Sequence, residues 1–149
     1  MSTIFLDFDG TLVDLSQRSV DNQVVNFISK EAVRLLQDFQ VVLVTGSPQK
    51  EVEQILSLLD STLQISLAEI ISAEKGGNTK ATGKPFLDLM KKYQGPFIVI
   101  GDSANDEDGA RRAGCFFVRV NKKDSNYEQL TELIRCLEEA KQKITQKGD

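Results

Sequence analysis

Residues 41–48 read Val41-Val42-Leu43-Val44-Thr45-Gly46-Ser47-Pro48. Four successive apolar residues, three of them β-branched, suit a strand covered on both faces, as strands of parallel sheets are. Ser47-Pro48 has the chemistry of an N-cap followed by a first helical position. Val52, Ile55, Leu56 and Leu59 then recur at helical spacing and form a core face. The stretch is one strand–turn–helix unit, and such units repeated along a chain build an α/β fold.

The same alternation extends in both directions. Upstream, Thr3 to Phe8 is a short apolar strand. Gly10 to Phe27 is mixed and reads as irregular loop. Ser29 caps a helix through Val33, Leu35, Leu36 and Phe39. Downstream, Glu69 to Ala73 is a weaker strand, and the polar, glycine-bearing stretch Lys75 to Gly83 is loop. Pro85 opens a helix with Phe86, Leu89, Met90 and Tyr93. Phe97 to Ile100 is another buried strand. Asn105 caps a helix that Gly114 ends. Cys115 to Val120 is a fifth strand, and an amphipathic helix runs from Asn126. The expected fold is α/β, a three-layer, doubly wound parallel sheet of five core strands in one domain over 1–149.

Composition limits the chemistry. The 149 residues contain no histidine and two cysteines, Cys115 and Cys136. That excludes Ser-His-Asp and Cys-His catalysis, histidine-ligated metals and a disulfide framework. Acid–base work falls to carboxylates, Lys, Tyr or Cys. The net charge of −4 argues against a nucleic-acid partner. With no signal peptide and no apolar run near ~18 residues, a cytoplasmic protein with reduced thiols and no membrane association is expected.

In an open parallel sheet, ligands bind beyond the carboxyl ends of the strands. Those ends carry Asp7, Asp9, Gly10 and Thr11; then Thr45 and Gly46; then, after the third strand's loop, Gly83, Lys84 and Pro85; then Gly101, Asp102 and Asp106. Gathering Asp7, Asp9, Asp102 and Asp106 at one edge is costly unless a cation balances them. An all-oxygen set favours Mg²⁺. Lys84 offsets the remaining charge, while Thr45 and the backbone N–H groups near Gly10 and Gly46 suit anionic oxygens. The pattern fits a metal-bridged phosphate. Without histidine, the candidate nucleophile is a carboxylate, with a second carboxyl group shuttling the proton.

These motifs resemble the haloacid dehalogenase superfamily of phosphohydrolases. Its Asp-x-Asp-Gly-Thr motif matches residues 7–11. Its hydrophobic strand ending in Thr or Ser matches Val44-Thr45-Gly46, its Lys-Pro matches Lys84-Pro85, and its Gly-Asp-x-x-x-Asp matches residues 101–106. The resemblance implies a Mg²⁺-dependent phosphatase with a Rossmann-like core. Asp7 would be nucleophile and metal ligand, and Asp9 general acid/base and a ligand through its backbone carbonyl. Thr45 and Lys84 would hold the phosphoryl group. Asp102 would ligate the metal directly, and Asp106 would act on metal waters or on Lys84. Neither gap between motifs has room for a cap domain, so the chain resembles the capless subgroup. That implies either a large phosphorylated substrate or a lid from a neighbouring subunit in a homo-oligomer. Gln17 and Arg18 in the stretch 14–21, and the 75–82 loop, are then candidates for touching the substrate. The competing readings are a non-catalytic adaptor of the same fold, a receiver-like phosphorylatable signalling domain, and a phosphomutase.

Overall fold

Strand β1 (Thr3–Leu6) is buried along its whole length and lies at the centre of the sheet. The computed structural model describes residues 1–16, 23–72 and 79–148. Beyond β1 the chain forms β2 (Val13–Asp14), β3 (Val25–Asn26), α1 (Lys30–Leu36), β4 (Gln40–Thr45), α2 (Gln49–Ser57) and β5 (Glu69–Ser72). It continues through α3 (Lys84–Met90), β6 (Phe97–Gly101), α4 (Ala104–Ala113), β7 (Phe116–Arg119) and α5 (Asn126–Gly148). Short 3₁₀ turns occupy Ser61–Leu63 and Lys80–Thr82.

The main sheet has the order β5-β4-β1-β6-β7, and every pairing in it is parallel. This is the expected doubly wound α/β fold. Alternation along β1 builds its two cores. Ile4 and Leu6 face α1, α2 and α5, among Leu35, Val52 and Leu137. Phe5 faces α3 and α4, among Phe86, Leu89 and Ala110, and stacks on Phe86 and Phe97 at 5.7 and 5.6 Å. Each such fully buried side chain contributes about 1.5–3 kcal/mol relative to exposure.

Chain order reverses at the β1/β6 boundary, since β4 and β5 extend the sheet one way and β6 and β7 the other. A reversal of this kind opens a crevice at the carboxyl ends of the two strands. Asp7 N–H donates to the Ile100 carbonyl at 3.0 Å, carrying the β1–β6 ladder one residue past the strand. The catalytic candidates Asp7, Asp9 and Asp102 are thereby fixed at the crevice.

Three local features differ from the sequence reading. The stretch after Gly10 contains an antiparallel hairpin, β2 with β3, pairing Val13 with Asn26. Strands of two residues are too short to carry a period. Pro48 itself is the N-cap of α2, while Ser47 N–H is taken by Thr45 Oγ1 at 3.0 Å. Ser103, not Asn105, caps α4, accepting from Asp106 N–H. No cap domain interrupts the described residues. The undescribed segments 17–22 and 73–78 hold only six residues each. Among the described residues, no helix is long and apolar enough to cross a membrane.

Candidate active site

Asp7, the first residue after β1, is buried. Its Oδ1 accepts from Lys80 Nζ at 2.8 Å. The same ammonium donates to Asp106 Oδ1 at 3.0 Å, and its side chain is only 11% exposed. Ser103 Oγ donates to the other oxygen of Asp106 at 2.8 Å. The cap of α4 thus aims the Asp106 carboxylate at Lys80.

Lys80 replaces Lys84 as the cation of the cleft. Lys84 begins α3 on its outer face, with a side chain 75% exposed, and pairs with Asp88 one turn later at 3.2 Å. The turn carrying Lys80 packs directly on α4. A Cβ at Gly109 would lie 1.9 Å from the Lys80 carbonyl oxygen, so only glycine admits the contact. Gly83 ends the turn at φ +79°, in the left-handed region that glycine tolerates. A helical wheel of residues 84–90 holds the missed signal. Lys84 and Asp88 share one face, while Phe86 and Leu89 point into the core.

Asp102 closes over Gly10. A Cβ at Gly10, whose φ is +83°, would meet Asp102 Oδ2 at 2.2 Å. Of the backbone N–H groups near Gly10 that suit an anion by sequence, Gly10's own is taken by the Val13 carbonyl at 2.7 Å. Its place in the site is therefore to admit Asp102. Asp7, Asp102 and Asp106 bring one carboxylate oxygen each to within 4.8 Å of one another. The Asp9 side chain stays outside this trio, on the open side, where its carboxylate accepts from Leu15 N–H at 3.0 Å. Thr45 is buried at the end of β4, its oxygen accepting from Ser47 N–H. Its hydroxyl proton is free of that bond. Gly46 is exposed with open space around it. Gln17, Arg18 and residues 75–78 of the expected rim lie outside the described residues.

A family model for haloacid dehalogenase-like hydrolases matches residues 24–114, more than half of the chain. The chain belongs to that family. Solved structures agree in fold. One described as a β-phosphoglucomutase from Thermotoga maritima superposes with a TM-score of 0.69 at 15% identity, over 95% of this chain and 99% of that one. A haloacid dehalogenase-superfamily hydrolase, subfamily IA, from Geobacter sulfurreducens gives 0.59 at 16% identity, over 80% and 89%. The core domain of a protein described as a phosphoglycolate phosphatase from Streptococcus pneumoniae gives 0.52 at 20% identity, over 83% and 82%. No curated protein matches the sequence.

Electrostatics follow from this haloacid dehalogenase-like geometry. Burial first, then the Asp106 charge, push Asp7 up to about 8, although Lys80 pulls in the opposite direction. Burial works against the Lys80 charge, but Asp7 and Asp106 more than compensate and raise its pKa. One ammonium among three carboxylates leaves the trio short of positive charge. The hard-oxygen donor set therefore fits a small divalent cation, which would reverse the upward pressure on Asp7. Partial desolvation by its neighbours raises Asp9 even though the residue is exposed, helped by Asp14 and Asp102 and opposed by the Leu15 N–H. Burial pushes the unpaired thiols of Cys115 and Cys136 up to about 11 and 12, so neither is a nucleophile near neutrality.

Proposed function

We propose that this chain is a Mg²⁺-dependent phosphomonoester hydrolase that works through an aspartyl-phosphate on Asp7. The observation that carries this reading is Lys80 held between Asp7 and Asp106, with Asp102 alongside, at the β1/β6 crevice. Asp7, Asp102 and Asp106 would hold the ion, which would supply charge neutralisation for the phosphoryl oxygens.

An Asp7 carboxylate oxygen attacks phosphorus, and the bond from phosphorus to the ester oxygen breaks. Asp9, whose pKa is raised, gives its proton to the departing oxygen. Asp9 then takes a proton from water as that water attacks phosphorus, which frees inorganic phosphate and restores Asp7. Lys80 neutralises equatorial oxygens throughout, and Thr45 donates its hydroxyl proton to one of them. The exposure of Asp9 favours hydrolysis over phosphoryl transfer between two sugar positions, which needs water excluded. The chain acts as a single catalytic core without a cap, and its free thiols suit the cytoplasm. Turnover of an aryl phosphate in Mg²⁺, abolished by EDTA and by Asp7→Asn, is the expected result. Undiminished turnover in Asp7→Asn contradicts it.

A further inference from the structure

A cavity of about 630 Å³ opens beside Asp9, Gly10 and Asp102. Its far wall is the segment 119–125, between β7 and α5. That wall is held by two buried polar side chains of α5. Gln129 Oε1 accepts from Lys123 N–H at 2.8 Å, and its Nε2 donates to the Asn121 carbonyl at 3.4 Å. Glu132 Oε1 accepts from Asn121 N–H at 3.1 Å. Gln129 and Glu132 are 5% and 3% exposed. Buried polar groups of this kind keep their partners only if the wall holds its shape, so the cavity is preformed.

The wall carries three cations against one carboxylate, net +2, in a chain whose net charge is −4. Lys123 lies 3.7 Å from Glu132, but Arg119 and Lys122 pair with no acidic side chain among the described residues. The opposite side presents the carboxylates of Asp9, Asp14 and Asp102, so an anion has its place at the 119–125 wall and not across the cavity. The cavity does not include Asp7 itself but adjoins it through Asp9, Gly10 and Asp102, so the leaving group of an ester held at Asp7 has this space, walled by Arg119 and Lys122, to extend into. The volume is that of a small-molecule site.

We propose that segment 119–125 recognises the leaving group of the substrate, and that this group bears a second anion, a carboxylate or phosphate, bound by Arg119 and Lys122. This substrate class rests on the phosphoryl site proposed above. A charge-assisted contact in a half-enclosed cavity supplies a useful share of affinity.

Binding of non-hydrolysable phosphonates in Mg²⁺, followed by titration calorimetry, tests the wall apart from turnover. 3-Phosphonopropionate and methylenediphosphonate, compared with propylphosphonate, separate carboxylate from phosphate. The protein should bind at least one of the doubly anionic ligands about tenfold more tightly than propylphosphonate. Arg119→Ala/Lys122→Ala should bring that ratio close to one, and Arg119→Glu/Lys122→Glu should invert it. Both residues are exposed, so the variants should keep the native circular dichroism. No preference in the native protein, or an undiminished preference in the alanine double variant, overturns the proposal. The catalytic reading fails separately, in the aryl phosphate assay.

Discussion

The two flanks of the cleft handle charge in opposite ways. On the flank toward α4, Asp7, Lys80 and Asp106 are buried in one another's company, and each is oriented by a neighbour. On the flank toward α5, Asp9 and the 119–125 wall stay accessible, and order comes from buried side chains behind them. The first arrangement suits chemistry that repeats unchanged from one ester to another. The second suits recognition of whatever the phosphate is attached to. Fixed dipoles and charges at the reacting atoms stabilise a transition state, whereas accessible cations discriminate between ligands.

Breaking the buried flank should have the largest effect. Lys80→Ala leaves Asp7 and Asp106 facing each other without their shared cation and should lower turnover by about a hundred- to a thousandfold. Lys84→Ala touches only the exposed pair with Asp88 and should change turnover by less than about twofold. Steady-state kinetics of the two variants measure the contrast directly. Equal losses would mean that the buried geometry does not decide which lysine matters.

The support behind the open flank gives an intermediate effect. Glu132 opposes its own burial through hydrogen bonds from Arg135 and Asn121 N–H, and its pKa falls below the ordinary glutamate value. A carboxylate with a lowered folded pKa adds stability above its unfolded pKa, about 4.3, and loses it as the pH falls through the folded value. Glu132→Gln should therefore cost about 1–3 kcal/mol at neutral pH, and the gap to the native chain should narrow below about pH 4. Urea denaturation at both pH values reads this out, and a gap independent of pH would contradict it.

The smallest effect sharpens the contrast between satisfied and unsatisfied groups. Thr45 spends its oxygen on Ser47 N–H, but the hydroxyl of Thr11, in the turn after Asp9, is buried without a partner among the described residues. Thr11→Val removes that cost and should raise stability by about 1 kcal/mol, measured as a higher urea midpoint. A clear loss would show that the hydroxyl is bonded.

The sheet was legible because its strands are continuous apolar runs, with Val41 to Val44 covered on both faces. The acidic cluster was legible because Asp7 and Asp102 follow strand ends directly and Asp106 lies about one helical turn further on, whereas Asp9, expected with them, stands outside the trio. Lys80 was not, because its place depends on a 3₁₀ turn packed on Gly109, a long-range contact with no local period. Lys84, beside Pro85, carries the more conspicuous pattern but faces away. Gln129 and Glu132 look like the polar face of an amphipathic helix. Their burial becomes visible only when the wall they hold is in place. The β2–β3 hairpin escaped because its two-residue strands are set by pairing rather than by sequence.

The most direct measurement is to quench the protein in acid during turnover of a ³²P-labelled phosphoester in Mg²⁺ and to map the covalently bound label. The expected result is a hydroxylamine-labile acyl phosphate on Asp7, absent in Asp7→Asn. Label on another residue, or undiminished labelling of Asp7→Asn, would contradict it.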